Sequence, residues 1–336
     1  MLSPRAKQEE REAQFLSPLA CQSAHSQGRH RPDEPCSVRT DFQRDIDRIV
    51  HSKSFRRLKH KTQVFLLPEG DHYRTRMTHT IEVSRIARTI ARGLSLNEDL
   101  TEAIALGHDL GHAPYGHAGE FVLNTKMEGV GFRHNVQSLR VVSKLENHGD
   151  GLNLCYEVEN GILCHTGSTK ADTLEGRIVA IADRIAYINH DIEDALRADI
   201  LSPIDLPFSS TRALGHDSRA RIAKMTEDII YASMDKDDIL QSDEVGSEML
   251  ALRQFMFEHV YTNQSAKHEE IKAKKMVAYL FDYYKNDSDL LPPDYQHIIA
   301  AEGLERGVCD YIAGMSDSYA AAEFSSIFVP KGWQTR

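Results

Sequence analysis

Between Thr173 and Ala198, seven large aliphatic side chains (Leu174, Ile178, Ile181, Ile185, Ile188, Ile192 and Leu196) recur in steps of three and four. That period lines them along one side of an α-helix, whereas a strand would repeat every second residue. A helix this long must bury its stripe against other elements. Strand signals are scarce in the remaining sequence, so the expected fold class is all-α.

Other segments read the same way. Phe42, Ile46, Ile49 and Val50 mark a helix from Asp41 to about Leu58, and Ile81, Ile86, Ile90 and Leu94 a second one with Gly93 near its end. The next helix starts either at Ser95 with Glu98 as a capping box or at Asn97; it runs through Ile104 and Leu106 to Leu110, with Gly111 as its stop. Val64–Leu67 and His72–Thr75, flanking Pro68–Asp71, predict at most a minor hairpin. Several helices follow from Ser218 to Ala322, interrupted by a loop at Asp287–Asp294 that carries Pro292-Pro293. This predicts an N-terminal arm (1–38), a helical core (39–215) and a C-terminal helical extension (216–336) packed on it.

Composition narrows the class. No run of about 18 apolar residues predicts a membrane span, and Met1–Gln14 lacks an apolar signal segment. Five dispersed cysteines without a CxxC pair argue against a disulfide framework and fit a reducing cytoplasm. The net charge of -10 argues against a general nucleic-acid coat. Arg39–Arg92, however, holds 13 Lys and Arg against 6 Asp and Glu. Such a patch suits a compact polyanion such as a triphosphate, and equally an ion-paired, solvated helix face.

The residues that carry chemistry are His79, His108-Asp109 and Asp183, each on a predicted helix beside apolar positions. Two imidazoles and two carboxylates form a mixed nitrogen–oxygen donor set for one divalent metal, with Mn, Mg, Fe, Ni and Zn undistinguished. The string from Gly107 to Glu120, GHDLGHAPYGHAGE, adds His112, His117 and Glu120 across a helix end and a Gly/Pro loop, where reactive groups are commonly presented. Asp183, Tyr187 and Asp191, spaced by four, form a polar stripe beside the apolar one. Arg76 lies one turn before His79 on the same helix.

The spaced H…HD…D residues resemble the signature of HD-domain phosphohydrolases, an all-α helical bundle. HDLGHAPYGHAGE, Arg56–Phe65 (RRLKHKTQVF) and Asp310–Met315 (DYIAGM) resemble the deoxyguanosine triphosphate triphosphohydrolase-like branch, over about Arg39–Ala321. That resemblance implies that His79, His108, Asp109 and Asp183 bind the metal, with an additional Mg2+ compatible with the triphosphate. It implies His117 and Glu120 as catalytic, His112 beside the α-phosphate, and His134 near the site. Gln63 matches a glutamine that reads the deoxyribose 3′-hydroxyl, Arg76 a phosphate-binding arginine, and Arg184, Tyr187 and Asp191 positions that hold phosphate and sugar. The implied reaction cleaves a deoxynucleoside triphosphate between the α-phosphorus and the 5′-oxygen. His117 would protonate the leaving oxygen and Glu120 would orient its ring. The resemblance further implies a cytoplasmic homo-oligomer, a hexamer among the candidates, with single-stranded nucleic acid as a candidate regulator. Two alternatives stay open: an HD phosphatase on another nucleotide phosphoester, and a nucleic-acid-binding or nucleotide-sensing protein without turnover. The chain departs from relatives at His134-Asn135, where eukaryotic members with a SAM module carry His-Glu, and at Asp317-Ser318-Tyr319, where relatives often read Asp-Arg-Tyr.

Overall fold

A computed structural model describes residues 2–63, 73–261 and 264–331. All regular structure among them is helical, and extended pairing is limited to two isolated antiparallel bridges, Arg29 with Cys155 and Thr62 with Thr75. The hairpin expected between Val64 and Thr75 lies outside the described residues apart from its Thr75 end.

The arm carries α1 (Pro4–Phe15). Then come α2 (Asp41–Val50), α3 (Lys53–Arg57), α4 (Arg76–Gly93), α5 (Glu98–Gly107), α6 (His117–Lys126), α7 (His134–Arg140), α8 (Tyr156–Cys164) and α9 (Leu174–Arg197). The chain continues through α10 (Phe208–Leu214), α11 (Ser218–Ser233), α12 (Asp243–Met256), α13 (Gln264–Asn286), α14 (Pro293–Glu302), α15 (Leu304–Ala313) and α16 (Asp317–Phe328).

The helix starts follow capping chemistry. Thr40 and Thr75 each close a capping box, with Gln43 and Thr78 respectively. Of the two possible starts for α5, Asn97 is used: its side chain accepts from the backbone N–H of Asp99 and Leu100. Ser95 instead takes a left-handed turn at φ 55°. α5 stops at Gly107, short of the expected Leu110.

The central helix α9 packs against α4, α5, α8 and α11. Its aliphatic stripe is buried from Leu174 to Ile192, and Leu196 packs at the edge. On α4 the stripe needs correction. Ile86 and Ile90 are buried, but Ile81 is 47% exposed, and Val83 and Ala87 take inward positions. Ile81 lies five residues before Ile86, about 140° away around the helix. The inward face of the first turns of α4 is polar: Arg76, His79 and Thr80.

Two apolar clusters result. One joins α2, α4, α5, α8 and α9 with α10–α12; the other joins α6 to α13, α15 and α16. The loop between α5 and α6 crosses from one to the other, with Leu110 in the first cluster and Ala113, Tyr115 and Ala118 in the second. Six of the ten arginines of the basic stretch are ion-paired outside the site: Arg39 with Asp47, Arg44 and Arg48 with Asp33, Arg74 with Glu82 and Glu193, Arg88 and Arg92 with Glu98. The ion-paired reading therefore covers about half of the basic residues in that stretch. Arg76 is buried.

The arm is tied to the core by Glu175, the second residue of α9. Its Oε1 accepts from the backbone N–H of Cys21 and of Asn97, both at 3.0 Å. Burial pushes its carboxyl up to about 7 from 4.5. The folded chain therefore holds this proton more tightly than the unfolded one. The group's contribution to stability is complete below about pH 4.5 and is lost as pH rises through 7. Glu175→Gln keeps the accepting oxygen and removes the titration. Thermal melting should show the variant gaining stability over the native protein at pH 8, by a few kcal/mol at most, with the gain vanishing near pH 4.5.

Candidate metal and phosphate site

Three elements meet beneath the loop between α5 and α6. α4 contributes His79, α9 contributes Asp183, and His108-Asp109 follow directly on α5. His79 Nε2 lies 3.0 Å from Asp183 Oδ1 and 4.0 Å from Asp109 Oδ2. His108 Nε2 lies 3.3 Å from Asp109 Oδ1 and 3.8 Å from Asp183 Oδ1. The four residues predicted as ligands are thus brought together.

Their protonation follows from what surrounds them. His108 Nδ1 donates to the carbonyl oxygen of Ala105 at 2.7 Å. A carbonyl can only accept, so in the neutral ring Nε2 carries a lone pair. That nitrogen is buried without a hydrogen-bond partner and faces two carboxylates. Acceptor against acceptor is unfavourable unless a cation lies between them. On the other side, Glu82 faces His190 Nε2 at 3.1 Å, and His190 Nδ1 faces His79 Nδ1 at 3.3 Å. A proton on each of His190 Nε2 and His79 Nδ1 satisfies that chain and leaves His79 Nε2 as a lone pair toward the site, the usual support for a metal-ligating histidine. The ligating atoms of His79, His108 and Asp109 lie within 4.8 Å of one another. This donor set fits a divalent cation of mixed nitrogen–oxygen preference.

Asp109 also receives Arg76, whose Nη1 donates to Oδ2 at 2.9 Å, and His112, whose Nε2 lies 3.0 Å from Oδ1. Burial alone would raise this carboxyl; His108, His112 and Arg76 outweigh it and hold it well below the usual carboxylate range. Nε and Nη2 of Arg76 are buried with no partner among the described residues. They are unspent donors beside the four candidate ligands. Gly116 makes room for them: its φ is 55°, and a Cβ there would come within 3.0 Å of Arg76 Nη2.

The remaining predicted residues surround this centre. His117 opens α6 with part of its surface open to solvent, its ring 6.3 Å from that of His112. The groups crowded around the ring desolvate it, and this and the Arg76 charge push its pKa down. Glu120 does not orient His117 as expected. Its carboxylate accepts from the backbone N–H of His134 at 3.0 Å and lies 3.1 Å from His134 Nδ1. The start of α7 offers both a free backbone N–H and a ring nitrogen, and these capture the carboxylate. His134 in turn stacks on His112 at 4.0 Å. Gln63 Oε1 is buried and has no partner among the described residues. Asp191 is buried and accepts from the Tyr261 hydroxyl, while its other oxygen has no partner. Burial pushes its carboxyl up to about 7. Tyr187 is half-buried between Asp183 and Asp191 in sequence. Arg184 is exposed and turns back on its own helix, its Nε donating to Ala180 O.

Sequence reasoning missed several participants. His190 lies seven residues past Asp183 and supports His79. Tyr261 ends a π-helical turn, Phe257–Tyr261, that aims it at Asp191. His165 stands beside His108, ring centroids 5.0 Å apart. Asp317 accepts from the backbone N–H of Thr62 (2.9 Å) and Tyr115 (2.8 Å) and from the Thr62 hydroxyl (2.6 Å). It thereby joins the segment before Gln63 to the loop before His117. Lys61 Nζ, fully buried, donates to the carbonyl oxygens of His112 and Ala313.

Comparison with known proteins places the chain among phosphohydrolases. Residues 76–188 match the family model of the HD domain, and residues 239–326 that of a phosphohydrolase-associated domain. The chain is 56% identical to a deoxyguanosinetriphosphate triphosphohydrolase-like protein of Caldanaerobacter subterraneus subsp. tengcongensis, covering 97% of this chain and 96% of that one. It is 49% identical to a protein of the same description in Desulfatibacillum aliphaticivorans, covering 97% and 98%. The crystal structure of a hypothetical protein from Aquifex aeolicus matches with a TM-score of 0.51 at 18% identity, over 84% of this chain and 71% of that one, a likeness of fold.

A site that needs a cation should be stabilised by one. Adding Mn2+ at about a hundredfold excess over its Kd to chelator-treated protein should contribute about 2.7 kcal/mol and raise Tm by a few degrees. Asp183→Ala should abolish that gain. An unchanged Tm in the native protein would contradict cation binding here.

Proposed function

This chain belongs to the deoxyguanosinetriphosphate triphosphohydrolase-like family of HD-domain phosphohydrolases, and we propose that it splits deoxynucleoside triphosphates into deoxynucleoside and tripolyphosphate. The observation that carries this reading is the pair of unpartnered guanidinium nitrogens on Arg76, buried beside Asp109. Buried donors left unpaired are costly, and an anionic phosphate oxygen is the acceptor they suit best.

When bound, the divalent cation supplies polarisation of a phosphate oxygen and acidification of a water. The chain's own groups do the rest. Arg76, already fixed through Nη1, directs Nε and Nη2 to the α-phosphate and stabilises charge as it redistributes in the transition state. His112, held by Asp109, presents its unpartnered Nδ1 beside it. His117, at the solvent-facing start of α6, delivers the proton that the poor 5′-oxygen leaving group requires. Its depressed pKa would be raised by the arriving triphosphate, whose negative charge favours the imidazolium that burial and Arg76 disfavour. Glu120 supports proton delivery through His134, whose ring it holds against His112. Gln63 and Asp191 each keep a buried, uncommitted oxygen, and sugar hydroxyls are donors of the right kind for both. A tight fit around the 3′-hydroxyl would leave no room for a 2′-hydroxyl and so select deoxyribose. Tyr187 closes the sugar side, and Arg184 at the rim meets the outer phosphates.

Metal-loaded protein incubated with each of the four deoxynucleoside triphosphates and with GTP, followed by anion-exchange separation, tests the reading. Tripolyphosphate and deoxynucleoside are expected, with GTP spared; orthophosphate from a monophosphate as the preferred activity would point to the phosphatase alternative. Arg76→Ala should lower kcat by about 100-fold or more, and His117→Ala should suppress tripolyphosphate release. Unchanged turnover after replacing His117 would remove it from the mechanism.

A further inference from the structure

α5 and α8 end in the same way. His108 follows the last residue of α5 and His165 the last residue of α8, both still in right-handed helical conformation with φ of -61° and -64°. In each, Nδ1 donates at 2.7 Å to the carbonyl oxygen three residues back, Ala105 or Ile162. The proton of the neutral ring is thereby fixed on Nδ1, and the nitrogen left to ligate is Nε2. Both rings are buried and meet edge to face with centroids 5.0 Å apart. The ligating atoms of His108, His165 and Asp183 lie within 4.8 Å of one another. None of the steps proposed above uses His165.

We propose that His165 is a further ligand of the divalent cation in the substrate-free protein, entering on the Asp183 side of the site. The inference rests on the metal site described above and adds a donor to it. Closing α8 requires Nδ1 alone. A purely capping role gives no reason for the ring to stand against a carboxylate of another helix and an imidazole whose Nε2 is bare. With a cation there, that placement is favourable, since Nε2 would complete a coordination sphere that already mixes imidazole and carboxylate. The repetition of one backbone device at two helix ends presents two Nε2 donors from α5 and α8 to the same carboxylate of α9.

Pulsed electron paramagnetic resonance on full-length protein loaded with one Mn2+ per chain, without nucleotide, counts the imidazole nitrogens coupled to the ion. Three are expected in the native protein: His79, His108 and His165. His165→Asn can still donate to Ile162 from its amide but lacks the distal nitrogen. It should show two coupled imidazoles and bind Mn2+ at least about tenfold more weakly. Its metal-free Tm should stay close to native, whereas His165→Ala, which loses the Ile162 bond as well, should also lower it. Two coupled imidazoles in the native protein, or native Mn2+ affinity in His165→Asn, would overturn the inference; the native count does not depend on any variant folding. If the native protein bound no Mn2+ at all, the metal site itself would fail, and this ligand with it.

Discussion

The carboxylate of Asp109 is the interaction on which the rest of the site depends. It is buried between Arg76, His112 and His108, at 2.9, 3.0 and 3.3 Å. One residue thus fixes the first turn of α4, the end of α5 and the start of the following loop relative to each other. A buried carboxylate is tolerated only because these groups surround it, and removing one partner leaves charge uncompensated, a cost of about 3–5 kcal/mol. The same convergence leaves unspent functionality pointing inward: bare nitrogen on His108, free N–H groups on Arg76, an unpartnered Nδ1 on His112. A core assembled for stability alone would have paired them. Their persistence identifies the place where ligands complete the structure.

The C-terminal helices frame this centre from a distance in sequence. Tyr115 is held at φ 61°, a conformation unfavourable for a residue with a Cβ, and the loop keeps it because Asp317 accepts from its backbone N–H while its hydroxyl donates to the Asp317 carbonyl. Lys61 bridges the carbonyl oxygens of His112 and Ala313. The loop that carries His112, Tyr115 and Gly116 is therefore clamped between the α4–α5–α9 bundle and α15–α16. Gly111 allows the close approach of α7 that completes the frame: a Cβ there would lie 2.1 Å from Ser138 N.

Much of this was legible in the linear sequence where one element repeats its own period. The stripe of α9 predicted both its burial and the polar line Asp183, Tyr187, Asp191 beside it. The candidate ligands His79, His108, Asp109 and Asp183 could be singled out because the metal chemistry admits few residue types and the HD string is dense in them. What stayed hidden depends on tertiary proximity. His165 is a lone histidine at a helix end, and only packing brings it to His108. Tyr261 reaches Asp191 from a π-helical turn 70 residues on. Asp317 looked like part of a departure from a common Asp-Arg-Tyr string, while the exposed neighbour Ser318 proved structurally uninformative and the buried aspartate decisive. The resemblance implied that Glu120 orients His117; the two attract each other, but the hydrogen bonds of the Glu120 carboxylate go to the backbone N–H and ring of His134. Ile81 failed as a core residue because the start of α4 turns a polar face inward to build the site.

The central claim is that His79, His108, Asp109 and Asp183 grip a single divalent cation within reach of Arg76. Anomalous diffraction at the manganese edge from crystals of the Mn2+-loaded protein tests it most directly. The account predicts one strong peak at about 2.0–2.3 Å from a nitrogen of each histidine and an oxygen of each aspartate. A peak elsewhere, or those four side chains ordered around no anomalous density at saturating Mn2+, would contradict it.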